Sequence, residues 1–221
     1  MYRVLNIIAF AAFFICSYPV AKASAEYNVW IDGQNLNLPY MRVYGHSKPP
    51  IGHIRFCQRY PRDCEQYRRR GKTVSLSKKR WTQLVAINRA VNNAIAPITD
   101  QDHHGVIEFW DYPSRQGDCE DYVLLKRRLL AESGWPENSL LITVVRDEEG
   151  AGHAILTVRT KQGDYLLDNK HDKVERWNDV PYRFVKRQSS IHPKEWVSLY
   201  PRERETLSAS SGKKQDKYFN K

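Results

Sequence analysis

The chain has 221 residues and carries 35 Lys and Arg residues against 25 Asp and Glu residues, which gives a formal net charge of +10 at pH 7. A chain of this length suits one domain with a full core. The basic residues are scattered along the chain and no nucleic-acid-binding motif accompanies them, so the composition argues against a nucleic-acid partner despite the charge.

Residues 1–25 have the layout of a secretory signal peptide. Arg3 provides a basic start, residues 7–15 form an apolar core, and small residues lead to a cleavage site after Ala25. The apolar run is shorter than the roughly 20 residues that a membrane-spanning helix needs. We therefore predict a protein exported to the periplasm, with a short uncleaved anchor as the alternative.

Three cysteines remain beyond the signal peptide, and an odd number in an exported chain leaves one thiol unpaired. Cys57 and Cys64 lie close together with a proline between them, which favours a local disulfide in an oxidising compartment. Two buried free thiols, or a metal site that recruits His53 and His46, are the alternatives. Under the disulfide pairing, Cys119 is the free thiol.

The first half of the mature chain is predicted to hold an irregular extension followed by two helices. Residues 26–74 are rich in turn residues and lack sustained periodicity, which predicts an extension pinned by the candidate disulfide. Ser77 is placed to cap a helix that Pro97 ends. Its buried face has helical spacing and consists of Leu84, Ile87, Val91 and Ile95. Residues 98–117 resemble a loop, and a second helix runs from about residue 118 to residue 132.

Strand patterns dominate after the second helix. Apolar, β-branched runs predict strands at residues 140–145, 153–159 and 165–168, with turns between them, and further short strands near 182–185 and 196–199. Helices that precede an antiparallel sheet predict an α+β fold. The domain is expected to span residues 75–207, and the Ser- and Lys-rich residues 208–221 form a disordered tail.

The densest chemical signal is the run Gly-Asp-Cys-Glu-Asp-Tyr at residues 117–122. It places the candidate free thiol of Cys119 at a helix N-terminus, where unpaired N–H groups favour a thiolate nucleophile and an oxyanion. The three carboxylates of Asp118, Glu120 and Asp121 act in the opposite direction, because their charge raises the pKa of the thiol. A nearby imidazolium or a bound cation must offset them.

The candidate base is His153, which opens a strand, and the candidate orienting group is Asp168, which ends the next strand. If residues 160–163 form the turn, Arg159 lies opposite Asp164, and Asp168 falls on the same sheet face as His153. A carboxylate can then orient a histidine that activates the cysteine. The residues His171 and Asp172 are weaker rivals, because they lie beyond the strand end.

The chain resembles the bacterial transglutaminase-like cysteine peptidases, whose best-understood members are LapG-like periplasmic proteases. The resemblance is continuous from about residue 81 to residue 199. It rests on residues 117–122, Gly134-Trp135-Pro136, Gly152-His153-Ala154 and Leu167-Asp168-Asn169. It implies a papain/transglutaminase-like α+β fold, with the nucleophile at a helix N-terminus packed on an antiparallel sheet. It also implies a catalytic triad of Cys119, His153 and Asp168.

The resemblance further implies calcium ligation by Asp118, Glu120 and Asp121. Calcium takes six to eight oxygen ligands, so backbone carbonyls and water must complete the shell. The alternative is that these acids only stabilise the helix dipole.

The function expected from the sequence is an exported cysteine hydrolase that cleaves peptide bonds of a cell-envelope protein through a thioester intermediate. We also expect association with a membrane regulator. One alternative keeps the triad but transfers the acyl group to an amine, as a transglutaminase or another amide acyl-transferase does. A second alternative is a calcium-responsive binding module without catalysis.

Overall fold

The structure is a computed structural model that describes residues 39–67 and 73–201, together with the backbone of two short paired strands, β1 (Trp30–Ile31) and β2 (Gln34–Asn35). The predicted signal peptide and the predicted tail at residues 208–221 lie outside the described residues.

The centre of the fold is a seven-stranded sheet in which every neighbouring pair is antiparallel. In chain order its strands are β3 (His46–Ser47), β6 (Leu140–Arg146), β7 (Gly152–Thr160), β8 (Gly163–Leu167), β9 (Glu175–Arg176), β10 (Arg183–Gln188) and β11 (Trp196–Ser198). Their order across the sheet is β3-β11-β10-β6-β7-β8-β9. Two further strands, β4 (Ala96–Pro97) and β5 (Gln116–Gly117), form a separate parallel pair.

In the part of the chain that the structure describes, four α-helices accompany the sheet: α1 (Ile51–Arg59), α2 (Lys78–Ala94), α3 (Asp100–His104) and α4 (Cys119–Glu132). Helix α2 begins as predicted, because the Ser77 side chain accepts a hydrogen bond from the Arg80 backbone N–H at 3.3 Å. Helix α4 also matches its predicted range. Within the described residues, no helix is both long enough and apolar enough to cross a membrane.

Two predictions of irregular structure were wrong. Helix α1 lies inside the segment that was predicted to be irregular, and α3 lies inside the predicted loop at residues 98–117. Both helices are short, with nine and five residues, so neither repeats an apolar spacing over enough turns to identify a helix in sequence. Their positions are set by contacts with the rest of the fold.

The core lies on both faces of the sheet. Helix α4 packs against β7 and against α2, and the larger apolar cluster includes Leu84, Leu130 and Leu156, each with no exposed surface. On the opposite face, a smaller cluster contains Met41, Val145, Ile155, Leu166 and Leu199. Because both faces are covered, β8 is buried at every position, and its sequence is not a simple alternation of apolar and polar residues.

The N-terminal part of the described chain is joined to this core. Cys57 and Cys64 form the predicted disulfide, which links α1 to the following 3₁₀ turn (Pro61–Cys64). Both cysteines and Phe56 belong to the larger apolar cluster. The metal alternative for this pair requires thiolates, which the disulfide removes; His53 lies beside the two sulfurs and contacts Cys57 Sγ at 3.7 Å.

Candidate active site

The candidate nucleophile, Cys119, is the first residue of α4, and Asp118 is its N-cap. The backbone N–H of Asp118 donates to Asp121 Oδ2 at 3.4 Å, which ties the start of the helix together. Gly117 is required at the preceding position, because a Cβ there would lie 2.6 Å from Asp121 Oδ2. The motif therefore brings the backbone of Gly117 close to the Asp121 side chain and places the thiol of Cys119 at the N-terminus of the helix.

The surroundings of the thiol favour its protonated form. Burial is the main cause that raises the pKa of Cys119, and the negative charges of Glu120 and Asp118 raise it further. The sulfur donates a hydrogen bond to Glu120 Oε2 at 2.9 Å. A hydrogen bond from the backbone N–H of Ala154 acts in the opposite direction and lowers the pKa. The conflict between the carboxylates and a thiolate, expected from the sequence, is present in the structure.

The hairpin of β7 and β8 has the register that the sequence predicted. Arg159 lies opposite Asp164 and Thr160 opposite Gly163, and the ladder ends where Leu156 pairs with Leu167. Asp168 follows as the first residue beyond β8, and its Oδ1 lies 2.9 Å from His153 Nε2. Since Nε2 is engaged by the carboxylate, Nδ1 is the ring nitrogen that remains for proton exchange with a thiol.

Asp168 is held by several donors at once. The Tyr182 hydroxyl donates to Oδ2 at 2.7 Å, and the backbone N–H of Lys170 donates to Oδ1 at 2.9 Å. Burial alone would raise the pKa of Asp168, but the hydrogen bonds from His153, Tyr182 and Lys170 hold it below its ordinary value. The carboxylate is therefore ionised and fixed in direction.

Tyr182 is a site residue that sequence reasoning missed. Its ring stands edge-on to His153, with 5.8 Å between the ring centroids, and its hydroxyl contacts the candidate orienting carboxylate. The predicted strand near residues 182–185 was the only local signal. Nothing in the spacing between Asp168 and Tyr182 connects the two residues.

The three predicted triad residues are brought to neighbouring positions. Helix α4 packs on β7, and the thiol of Cys119 lies against the backbone N–H of Ala154, the residue that follows His153. The rival residue His171 is exposed and contacts α2 through its carbonyl oxygen. The geometry thus favours His153 and Asp168 over the later pair.

Of the three predicted metal ligands, Asp118 and Asp121 lie together in one carboxylate cluster and Glu120 is not part of it. Carboxylate oxygens of Asp118 and Asp121 lie within 4.8 Å of one another and of an oxygen of Asp100, whereas Glu120 is turned to the thiol. Asp100 lies in residues 98–117, which were predicted to be a loop, but it is the first residue of α3 and is 4% exposed. No motif links it to Asp118, eighteen positions later.

This carboxylate cluster has the properties of a cation site. Burial, followed by the charge of Glu120, raises the pKa of Asp118 to about 9. Burial also raises the pKa of Asp121 to about 7. Asp118 Oδ1 is buried without a hydrogen-bond partner among the described residues. Hard oxygen donors with an unsatisfied oxygen fit a cation such as Ca²⁺.

Three solved structures of LapG from Legionella pneumophila are similar to this chain. The EGTA-treated form is 24% identical, covers 48% of this chain and 62% of its own, and has a TM-score of 0.43. A second structure is 23% identical, covers 53% and 66%, and has a TM-score of 0.46. The calcium-bound form is 21% identical, covers 57% and 73%, and has a TM-score of 0.47. This chain thus spans less than two thirds of the first structure.

No curated protein matches the chain. The family described as bacterial transglutaminase-like cysteine proteinase matches residues 43–204, which include every residue of the candidate site. The expected α+β fold, with an antiparallel sheet behind the helix that carries Cys119, is confirmed. The prediction of a cysteine peptidase is confirmed at the level of the family. The chain belongs to the bacterial transglutaminase-like cysteine proteinases.

Proposed function

We propose that this protein is a thiol peptidase in which Cys119 is the nucleophile, His153 the general base and Asp168 the group that orients the imidazole. The observation that carries the proposal is the 2.9 Å contact between His153 Nε2 and Asp168 Oδ1, beside the N-terminus of α4 that presents the only free cysteine of the described residues. Membership of a cysteine proteinase family supports the same assignment.

The proposed reaction follows from these positions. His153 accepts the thiol proton at Nδ1, the Cys119 sulfur attacks the substrate carbonyl carbon, and the backbone N–H groups at the start of α4 stabilise the oxyanion. The imidazolium then gives its proton to the leaving amine, which breaks the peptide bond and leaves a thioester. Water, deprotonated by His153, attacks the thioester and releases the carboxylic acid and the thiol. Asp168 stabilises the imidazolium in both halves of the reaction.

We also propose that Asp118 and Asp121 hold a calcium ion together with Asp100. The predicted ligand Glu120 is adjacent in sequence, although its carboxylate contacts the thiol in this structure. Bound calcium would supply positive charge that offsets the buried carboxylates beside Cys119. The alternative, in which the acids only stabilise the dipole of α4, makes different predictions, which are given in the Discussion.

The proposed setting is the periplasm, with a protein of the cell envelope as substrate and a membrane protein as regulator. The buried disulfide between Cys57 and Cys64 supports an oxidising compartment, because such bonds are rare in the cytosol. The signal-like residues 1–25 support export. An amine acceptor in place of water would use the same site, and added amine would then appear in the product.

The test is a comparison of new N-termini in envelope and shed proteins from cells that carry the wild type, Cys119→Ala or His153→Ala. We expect the same set of cleavages to disappear in both variants, while His171→Ala, an exposed histidine beyond the strand, retains them. Purified variants should keep their circular dichroism spectra. Full cleavage by His153→Ala, or loss of cleavage in His171→Ala, would contradict the proposed base.

A further inference from the structure

Two asparagine side chains of α2 face the segment that carries Asp168. Asn92 Nδ2 lies 3.0 Å from the backbone oxygen of Asp168 and 2.9 Å from Asp172 Oδ1. Asn88 Nδ2 lies 3.0 Å from the backbone oxygen of His171 and 3.1 Å from that of Asp172. Asn88 and Asn92 are one helical turn apart, so they present their amides on one face of α2.

Among the described residues, no strand pairs with the segment at residues 168–172. The β7–β8 ladder ends at Leu167, and residues 168–172 belong to no strand. The Asp168 carboxylate must nevertheless meet His153 Nε2 at hydrogen-bond distance. Backbone oxygens at both ends of this segment accept hydrogen bonds from the two amides. The α2 amides therefore hold the backbone of this segment by hydrogen bonds, as a neighbouring strand holds the backbone of β8.

The burial of Asn88 is costly for the fold and indicates a specific role. Its side chain has no exposed surface, and it lies between Leu84 and Val91 on the buried face of α2, where an apolar residue would be favoured. The Oδ1 atoms of Asn88 and Asn92 have no hydrogen-bond partner among the described residues. The two side chains thus bury unsatisfied oxygens while their N–H groups serve the Asp168 segment.

A third polar group, on α4, interacts electrostatically with the same segment. Lys126 is fully buried, lies seven residues after Cys119, and its Nζ has no hydrogen-bond partner among the described residues. Burial lowers the pKa of this amine, and the negative charges of Asp168 and Asp172 act in the opposite direction. The amides of α2 thus contact the five residues that end the candidate triad, and the charge of Lys126 on α4 acts on two carboxylates of the same segment.

We propose that Asn92, assisted by Asn88, is a positioning residue that directs the Asp168 carboxylate toward His153. This inference rests on the proposed function, because it gives the two amides a purpose only if Asp168 orients a catalytic imidazole. Neither amide contacts substrate or the reacting sulfur. Asn92 acts through the backbone of Asp168, which Tyr182 and Lys170 do not hold, because both of them contact the carboxylate itself.

The test uses Asn92→Leu, which removes both donors and keeps a side chain of similar size on the helix. The matched control is Asn93→Leu, the same substitution at the next position of α2, where the side chain is exposed. Asn92→Ser is a second variant in case the leucine disturbs folding. Three quantities are measured on the mature protein: the melting temperature, the rate of inactivation by iodoacetamide, and the downfield proton resonance of the His153 imidazole N–H. That resonance is assigned by its loss in Asp168→Ala.

We expect Asn92→Leu to weaken or shift the His153 resonance and to slow inactivation by about tenfold to a hundredfold, the effect of a misplacement near 1 Å. Asn93→Leu should leave both unchanged, and the melting temperatures of the two variants should be similar. An unchanged resonance in both Asn92→Leu and Asn92→Ser would overturn the proposal. If Cys119→Ala retains full hydrolysis, the proposed function fails instead, and the resonance still reports whether Asn92 sets the direction of Asp168.

Discussion

Lys126 is a basic residue whose side chain is fully buried. Burial lowers its pKa from 10.5 to about 7, although the charges of Asp168 and Asp172 act to raise it. Because the folded pKa is below the unfolded one, charged Lys126 destabilises the fold. The penalty is complete below about pH 7 and disappears as the pH approaches 10.5.

Replacing Lys126 with Met should therefore raise the free energy of unfolding, by about 5 kcal/mol at most below neutral pH. The gain should shrink steadily between pH 7 and pH 10.5. Urea unfolding of both proteins across this range measures it, with the exposed Lys79→Met on α2 as the control. A loss of stability that is constant with pH would show that Lys126 is charged and well paired in the fold.

Tyr182 should prove important because its hydroxyl is the second side-chain donor to Asp168, at 2.7 Å. Tyr182→Phe keeps the ring edge-on to His153 but removes this hydrogen bond, which helps to lower the pKa of the carboxyl group. We expect iodoacetamide inactivation to slow by roughly tenfold, since a hydrogen bond to a charged group contributes about 1.5–3 kcal/mol. Asp168→Asn should have the larger effect.

The control for this substitution is Tyr200→Phe, because Tyr200 is 49% exposed and lies near the end of the described chain. Stopped-flow alkylation at fixed pH compares the four proteins. Equal rates for Tyr182→Phe and the wild type would mean that the Lys170 N–H and His153 hold the carboxylate without help.

At the scale of elements, α3 and α4 meet where Asp100, at the start of α3, lies with Asp118 and Asp121 at the start of α4. Without a bound cation, the burial of these acids lowers the stability of the folded protein. The pKa of Asp118 is raised to about 9, mainly by burial and next by the charge of Glu120, so the folded protein binds a proton that the unfolded chain releases. Stability then falls as pH rises from the ordinary value of 3.8 towards 9.

This arrangement predicts that Asp118→Asn changes the melting temperature in opposite directions with and without calcium. In chelator at pH 8 the variant should melt higher than the wild type, because folding the wild type at that pH requires the buried Asp118 to take up a proton, whereas the neutral amide has no such cost. In excess calcium it should melt lower, because a ligand has been lost, while the wild type gains about 2.7 kcal/mol at a hundredfold excess over Kd. Magnesium should substitute poorly.

Asp102→Asn, an exposed acid of the same helix as Asp100, is the control and should respond to calcium like the wild type. Glu120→Gln tests whether Glu120 or Asp100 is the third ligand beside Asp118 and Asp121. A lost calcium response would favour Glu120, which was predicted from the sequence, and a retained response would favour Asp100. If chelator leaves the melting temperature of every protein unchanged, the acids serve only the helix dipole.

The helices and strands could be predicted wherever the pattern was long and periodic. Helix α2 and helix α4 have apolar spacing over several turns and recognisable ends, and the β7–β8 hairpin has a short polar turn between two apolar runs. The register of that hairpin follows from local rules, so the approach of Asp168 to His153 was predictable. Helix α1 and helix α3 were not, because nine and five residues are too few to show a period.

At the scale of the whole molecule, the disulfide between Cys57 and Cys64 attaches the N-terminal part of the described chain to the main core. We expect alkylation without reductant to label Cys119 alone in the mature protein, and peptide mass spectrometry to find the other two cysteines as one linked peptide. The double variant Cys57→Ala/Cys64→Ala should lose about 2–3 kcal/mol of stability by loop-closure arithmetic.

Cys119→Ala is the matched control for this measurement, because it removes a cysteine without opening a bridge. Its free energy of unfolding should stay close to that of the wild type. Labelling of all three cysteines in unreduced protein would contradict the bridge.

The sequence by itself determined the features that depend on neighbours along the chain. These are the α+β order, the cysteine at the start of a helix, the local disulfide and the hairpin that brings His153 to Asp168. Only the tertiary structure decided which distant groups complete the site: Asp100 beside Asp118, Tyr182 on Asp168, and the α2 amides on the segment after β8. The physical reason is that these contacts join separate elements, whose relative positions follow from packing of the whole core and leave no periodic trace in the sequence.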